Sequence, residues 1–213
     1  MLGRMRNILV TGASGGLGTA VVAAFAQQGD RVIAVSHPEY DLTRAEEAAR
    51  AVASVGGPLH ALIHLMGGFA GGAAVADTDD ATWRRMMSLN LEAAFYLARA
   101  AVPALVAQPG GRVVLIGSRT AVQPVAKLAA YNVSKAGVVA LARTLALELG
   151  PLGATCNVIL PSVIDTPANR AGSPGADFGK WVPPEAIAEL IRWLASPGAG
   201  EVNGAVIPIY GQA

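Results

Sequence analysis

The chain has 213 residues, 53% of them apolar and 15% charged, with a formal net charge of +1. That length suits one well-packed domain rather than two, and the near-neutral balance removes any electrostatic drive toward nucleic acid or an anionic membrane. The single cysteine, Cys156, excludes an intramolecular disulfide and reads as a small buried hydrophobe in a reducing, cytoplasmic setting.

The basic start Met1–Arg6 leads into only Ile8-Leu9-Val10 before a Gly-rich turn, too short an apolar run for the core of a signal peptide. Later apolar runs meet Arg, Glu or Pro before about 18 residues, so no membrane span is expected. Strands are predicted over Asn7–Thr11, Arg31–Ser36, Leu59–Met66, Arg112–Gly117, Ala154–Leu160 and Ala205–Ile209. These runs are rich in Val, Ile and Leu and lack polar alternation, as strands covered on both faces do.

Helices are predicted between them. Leu17–Gln28 stops at Gly29, and Thr43–Val55 opens with Thr43 as cap and carries Glu46 and Glu47 in its first turn. Asp79–Ala107 begins with Asp and is kinked or ended by Pro103, and Lys127–Leu149 and Glu185–Ala195 complete the set. The alternation predicts an α/β fold, a single Rossmann-type doubly wound parallel sheet flanked by helices over residues 1–213. Only Ser36–Tyr40 separates the second strand from Asp41, too little for a crossover helix. If a third strand lies near Asp41, the helix after the second strand is shortened or missing.

The first strand runs directly into Thr11-Gly12-Ala13-Ser14-Gly15-Gly16-Leu17-Gly18 and then a helix. Glycines let the backbone approach a pyrophosphate, and the helix start offers it unpaired amides. Ser14, Gly15, Gly16, Leu17 and Gly18 are therefore candidate dinucleotide contacts with Gly12; an ordinary tight turn is the bland reading. An acid at the end of the second strand selects NAD in such sites. Ser36 holds that position here, followed by His37, which favours NADP over NAD, and Asp41 is a further candidate contact.

Ser118 ends an apolar strand, where side chains reach the ligand crevice. Tyr131 and Lys135 lie one helical turn apart on one face. A lysine ammonium near a phenol lowers its pKa toward working pH, so Tyr131 can give a proton to a carbonyl oxygen or take one back, while Ser118 stabilises the developing charge. No residue is assigned to a metal.

Thr11-Gly12-x-x-x-Gly16-x-Gly18, Asn90, Ser118 and Tyr131-x-x-x-Lys135 together resemble the short-chain dehydrogenase/reductase family over nearly the whole chain. The resemblance implies hydride transfer with a nicotinamide cofactor and a catalytic tetrad of Asn90, Ser118, Tyr131 and Lys135. It implies that Asn90 holds a water linking Lys135 to solvent and that Lys135 also binds the nicotinamide ribose. It also places Met66, Gly67, Pro161, Ile164 and Thr166 against the cofactor. The family's Asn-Asn-Ala-Gly after the fourth strand is replaced by His64-Leu65-Met66-Gly67, where His64 reads as a backbone-bonding structural residue.

Gly67-Gly68-Phe69-Ala70-Gly71-Gly72, Asp165–Arg170 and the Pro174–Trp181 stretch carry a narrower resemblance, to quinonoid dihydropteridine reductases. It implies that Phe69, and with it Trp181, lies beside a pterin-like substrate held at Ser118 and Tyr131; both aromatics also fit core or lid positions. Ser118 departs from that group, which resembles a serine-less variant, and points to ordinary carbonyl or alcohol chemistry. A catalytically silent dinucleotide-binding sensor or scaffold is the alternative. The two long Ala-rich helices suggest a homodimer or homotetramer, with a small-molecule substrate and no nucleic-acid or membrane partner.

Overall fold

The computed structural model describes residues 5–212; the first four residues of the basic stretch Met1–Arg6, and Ala213, lie outside the described residues. The six apolar runs become strands β1 (Asn7–Thr11), β2 (Arg31–Val35), β3 (Ala61–His64), β4 (Arg112–Ile116), β5 (Thr155–Pro161) and β6 (Val206–Ile209). They form one parallel sheet in the order β2-β1-β3-β4-β5-β6. Parallel neighbours need crossovers, and the helices supply them. These are α1 (Gly16–Ala26), α2 (Ala45–Ala53), α3 (Asp80–Met86), α4 (Ala93–Val106), α5 (Ala129–Leu149), α6 (Pro167–Gly172) and α7 (Pro184–Leu194).

Both sheet faces are covered, which explains the unbroken apolar strands. On one face Leu9, Leu62 and Leu115 pack under α2, α4 and α5; on the other Ile8, Ile63 and Val114 pack under α1 and α7. Fully burying one such side chain stabilises the fold by about 1.5–3 kcal/mol. The chain moves to one side of β1 to form β2 and to the other to form β3, so a crevice opens beyond the carboxyl ends of β1 and β3.

Several local expectations are refined. No strand lies near Asp41: the third strand in sequence is Ala61–His64, and the helix after β2 is present but short, at nine residues. Thr43 does not cap it. Its hydroxyl donates to Asp41 Oδ1 at 2.6 Å and its amide donates to the same oxygen at 3.2 Å, an Asx-type turn that leads the chain into the helix. Arg44 occupies the cap position instead.

The predicted Asp79–Ala107 helix is divided by a π-helical turn, Met87–Glu92. Asp79 caps its start by accepting from the Thr82 amide at 2.6 Å, and the helix continues past Pro103 to Val106. Counted as one run, Asp80–Val106 is long and apolar enough to cross a membrane by length and composition alone, while Arg84, Arg85, Glu92, Arg99 and Pro103 interrupt it. Its apolarity serves the core, since Ala93, Leu97, Ala101 and Leu105 are fully buried. Lys127 precedes α5 in a left-handed conformation (φ +65°), and its carbonyl accepts from the Gly72 amide at 2.8 Å.

Candidate active site

The glycine turn sits at the crevice. Gly12 has φ +68°, and a Cβ there would come within 2.8 Å of the Met66 amide nitrogen, so the loops after β1 and β3 close together only over a glycine. Gly16 opens α1, and a Cβ on it would meet Thr166 Cγ2 at 2.7 Å. Neither a side-chain cap nor a first-turn acid occupies the start of α1, so its amides face the turn with their partial positive charge unshared. Ser14, Gly15, Leu17 and Gly18 belong to the same turn and first helical residues.

Beside it an open groove of about 420 Å³ is lined by Ala13, Ser14, Thr19, Val22, Ala34 and Ser36. The Ser36 hydroxyl accepts from the Ser14 amide at 3.0 Å, which leaves its own O–H free to donate. His37 is exposed next to it, and the Asp41 carboxylate is held by Thr43 with its pKa lowered chiefly by that hydrogen bond. A pyrophosphate and an adenosine ribose fit these residues: an uncapped helix start, a glycine cradle that a Cβ would fill, and hydroxyls rather than an acid at the end of β2.

The second cluster is assembled from β3, β4, α5 and the segments after them. Ser118 follows β4 and accepts from the Thr120 amide at 3.2 Å. Its hydroxyl acts to lower the pKa of the Tyr131 phenol, yet burial dominates and holds that phenol above its ordinary value. Lys135, one turn along α5, is buried and donates from Nζ to the Ile116 carbonyl at 2.9 Å. Burial pulls its pKa down to about 8. Phe69 stands edge-on to Tyr131, ring centroids 5.0 Å apart at 74°.

Asn90 is buried in the π turn. Its Oδ1 accepts from the Gly68 amide at 2.8 Å, while Nδ2 donates to the Gly68 carbonyl at 3.1 Å and to Ser134 Oγ at 3.0 Å. A Cβ on Gly67 would lie 2.7 Å from Asn90 Oδ1 and 3.2 Å from Lys135 Nζ, so the glycine loop threads between the two side chains. Ser118, Tyr131, Lys135, Asn90, Gly67 and Phe69 thus converge at one end of the sheet.

The comparisons agree with this geometry. A family model described as Enoyl-(Acyl carrier protein) reductase matches residues 39–211. The 3-oxoacyl-[acyl-carrier-protein] reductase MabA of Mycobacterium bovis is 32% identical, the match covering 97% of this chain and 92% of that protein. The dihydropteridine reductase of Dictyostelium discoideum is 30% identical over 95% of this chain and 93% of its own length. A solved short-chain type dehydrogenase/reductase from Mycobacterium ulcerans superposes with a TM-score of 0.92 at 28% identity, covering 97% of this chain and 89% of that one.

The chain belongs to the short-chain dehydrogenase/reductase family. It is an oxidoreductase of that family, whose members named in the comparison carry out reductase chemistry. Lys135 donates to the Ile116 carbonyl, and burial is the dominant influence on the Tyr131 phenol, raising its pKa. The Asn90 side chain clamps Gly68 through both its oxygen and its nitrogen.

Trp181 is buried and pairs with Phe178, centroids 4.8 Å apart, away from the Phe69–Tyr131 pair. The Arg170 guanidinium lies 4.9 Å over Phe178 and is bonded twice to Asp165 at 2.5 and 2.7 Å. Pro161 is buried at the end of β5, Ile164 bridges to Val182, and Thr166 caps α6 by accepting from the Asn169 amide at 3.2 Å. Met66 packs half-buried behind Gly12.

Sequence reasoning read His64 as a residue bonding neighbouring backbone. Its Nδ1 instead bonds the Thr11 hydroxyl at 2.8 Å, and Nε2 is buried without a partner among the described residues. A histidine at the end of an apolar strand beside the lysine of a Tyr-x-x-x-Lys pair was the available signal.

Proposed function

We propose that the protein is an NADP-preferring reductase that converts a small carbonyl compound or a quinonoid dihydropterin-like substrate, with Tyr131 as the proton donor. The observation that carries the reading is the juxtaposition of the Tyr131 phenol, one helical turn from buried Lys135, with the exposed aromatic Phe69 beside a nucleotide crevice. The nicotinamide cofactor, when bound, supplies the hydride. Tyr131 gives its proton to the substrate atom that gains negative charge. Ser118 keeps the phenol oriented and can donate to the same substrate atom. Lys135, anchored on the Ile116 carbonyl, provides the positive charge that favours phenolate once the proton has left.

NADP is favoured over NAD because the end of β2 presents Ser36 and His37 in place of an acid. Asp41, a few residues further on, is already committed to Thr43. The dihydropterin reading is supported by Phe69 on Tyr131 and by the likeness to the Dictyostelium reductase; the ketone reading is supported by Ser118. A soluble, cytoplasmic homodimer or homotetramer is part of the same proposal, supported by the exposed Phe95, Val133 and Leu147 on α4 and α5.

The deciding experiment follows NADPH and NADH absorbance with quinonoid dihydropterin and with a small ketone, using Tyr131→Phe as control. Oxidation of NADPH in preference to NADH, lost in the variant, is the expected result. Nucleotide binding without oxidation in either assay would instead support the dinucleotide-binding sensor.

A further inference from the structure

Ser134 lies in α5 between Tyr131 and Lys135 and is fully buried. On stability grounds alanine would suit this position better. Serine is the poorer helix former, its hydroxyl competes with the helix ladder, and burying that hydroxyl has a cost that only hydrogen bonds offset. Both bonds are made here. Ser134 Oγ donates to the Tyr131 carbonyl at 2.9 Å and accepts from Asn90 Nδ2 at 3.0 Å.

The direction of each bond is set by its neighbours. The Gly68 amide donates to one side-chain atom of Asn90 at 2.8 Å, which must therefore be the oxygen. Nδ2 then gives its two hydrogens to the Gly68 carbonyl at 3.1 Å and to Ser134 Oγ, with Met86 Sδ a looser neighbour at 3.9 Å. The single Ser134 proton is left for the Tyr131 carbonyl, so every member of the chain Gly68–Asn90–Ser134–Tyr131 has its partner. Asn90 is itself 1% exposed and stands in the π turn Met87–Glu92, the kind of helix irregularity that recurs at functional sites.

We propose that Ser134 is a positioning residue for Tyr131: through Asn90 it ties the Tyr131–Lys135 turn of α5 to the loop after β3. Lys135 supplies the second tie, from Nζ to the Ile116 carbonyl at the end of β4. Two ties to two different strand ends fix both the rotation and the height of this turn, and with them the place of the phenol. The kinetic consequence rests on the proposed reductase reading; the tie itself does not require turnover.

Amide hydrogen exchange in the ligand-free protein, read by NMR, tests the tie. In Ser134→Ala the Asn90 amide loses one of its anchors, so the Gly68 amide that it holds should exchange about three- to tenfold faster, the scale of one hydrogen bond. The Leu65 amide, three residues earlier and held by the Thr11 carbonyl at 3.2 Å, is the internal reference and should not change. Unchanged exchange at Gly68, or equal acceleration at Leu65, overturns the proposal even if no substrate is ever reduced.

Kinetics separate positioning from packing. Ser134→Ala should lower kcat by about three- to tenfold, with KM and nucleotide affinity within twofold of wild type. Asn90→Ala combined with Ser134→Ala should be no slower than Asn90→Ala alone, because both break one chain. Wild-type kcat in Ser134→Ala, a loss confined to KM, or losses that multiply in the double variant would each overturn the proposal. If the wild type reduces neither substrate, the reductase reading falls, and the exchange at Gly68 still decides the tie.

Discussion

Phe69 meets Tyr131 edge to face, 5.0 Å between centroids, while remaining 64% exposed itself. An aromatic this exposed contributes little to the core, so its geometry speaks for what enters the crevice. Phe69→Ala should therefore leave thermal stability nearly unchanged and raise KM for a planar substrate by about two- to tenfold, the scale of one aromatic pair. An unchanged KM in steady-state assays would remove Phe69 from the substrate site.

Tyr131→Phe keeps the ring and its contact with Phe69 but deletes the acid. Reduction is expected to fall by about 10²–10⁴-fold, with nucleotide affinity within twofold of wild type by fluorescence titration. Because the phenol lies above its ordinary pKa while Lys135 titrates at about 8, the rate should be level below pH 7.5 and decline above about 8 as the ammonium is lost. A profile that rises through pH 8 would contradict this assignment.

The neutral state of His64 has a consequence for stability. Burial, with a smaller part from Lys135, pushes its pKa to about 3, against 6.5 for the free side chain. Between those values the unfolded chain binds a proton that the folded one does not, so stability is lost as pH falls from 6.5 toward 3, at about 1.4 kcal/mol per unit. Urea denaturation at stepped pH should show this slope, and His64→Asn should flatten it by about one proton.

Gly16 tests the nucleotide cradle without testing the fold. Alanine is the better helix former at the start of α1, yet its Cβ would press on Thr166 Cγ2 at 2.7 Å. Gly16→Ala should keep the melting temperature within a few degrees and weaken NADPH binding by about tenfold. Equal affinity by calorimetry would place the pyrophosphate elsewhere.

Assembly has its own readout. Light scattering should return a mass of two or four chains, and Phe95→Glu with Leu147→Glu should reduce it to one. A single-chain mass for the wild type would remove the oligomer from the proposal.

Much of this was legible in the order of residues. The six apolar runs are strands because parallel strands are buried on both faces, and the glycine turn, Ser118, Tyr131 and Lys135 carry their meaning in local spacing. The π turn at Met87–Glu92 was not legible, because its apolar pattern differs little from that of an α-helix. Nor was the use of Thr43, whose hydroxyl and amide both donate to the Asp41 carboxylate.

Local pattern by itself determined the sheet, the crevice end of the molecule and which side chains are candidates for the chemistry, since periodicity and turn chemistry act within a few residues. Only the tertiary structure decided the electrostatic state of the site. Whether Tyr131 is driven by Lys135 or by burial, what Asn90 grips and which nitrogen of His64 is left without a partner depend on atoms brought together from β1, β3, β4 and α5. Charge and hydrogen bonding in a buried site act through space, and chain order carries no record of those distances.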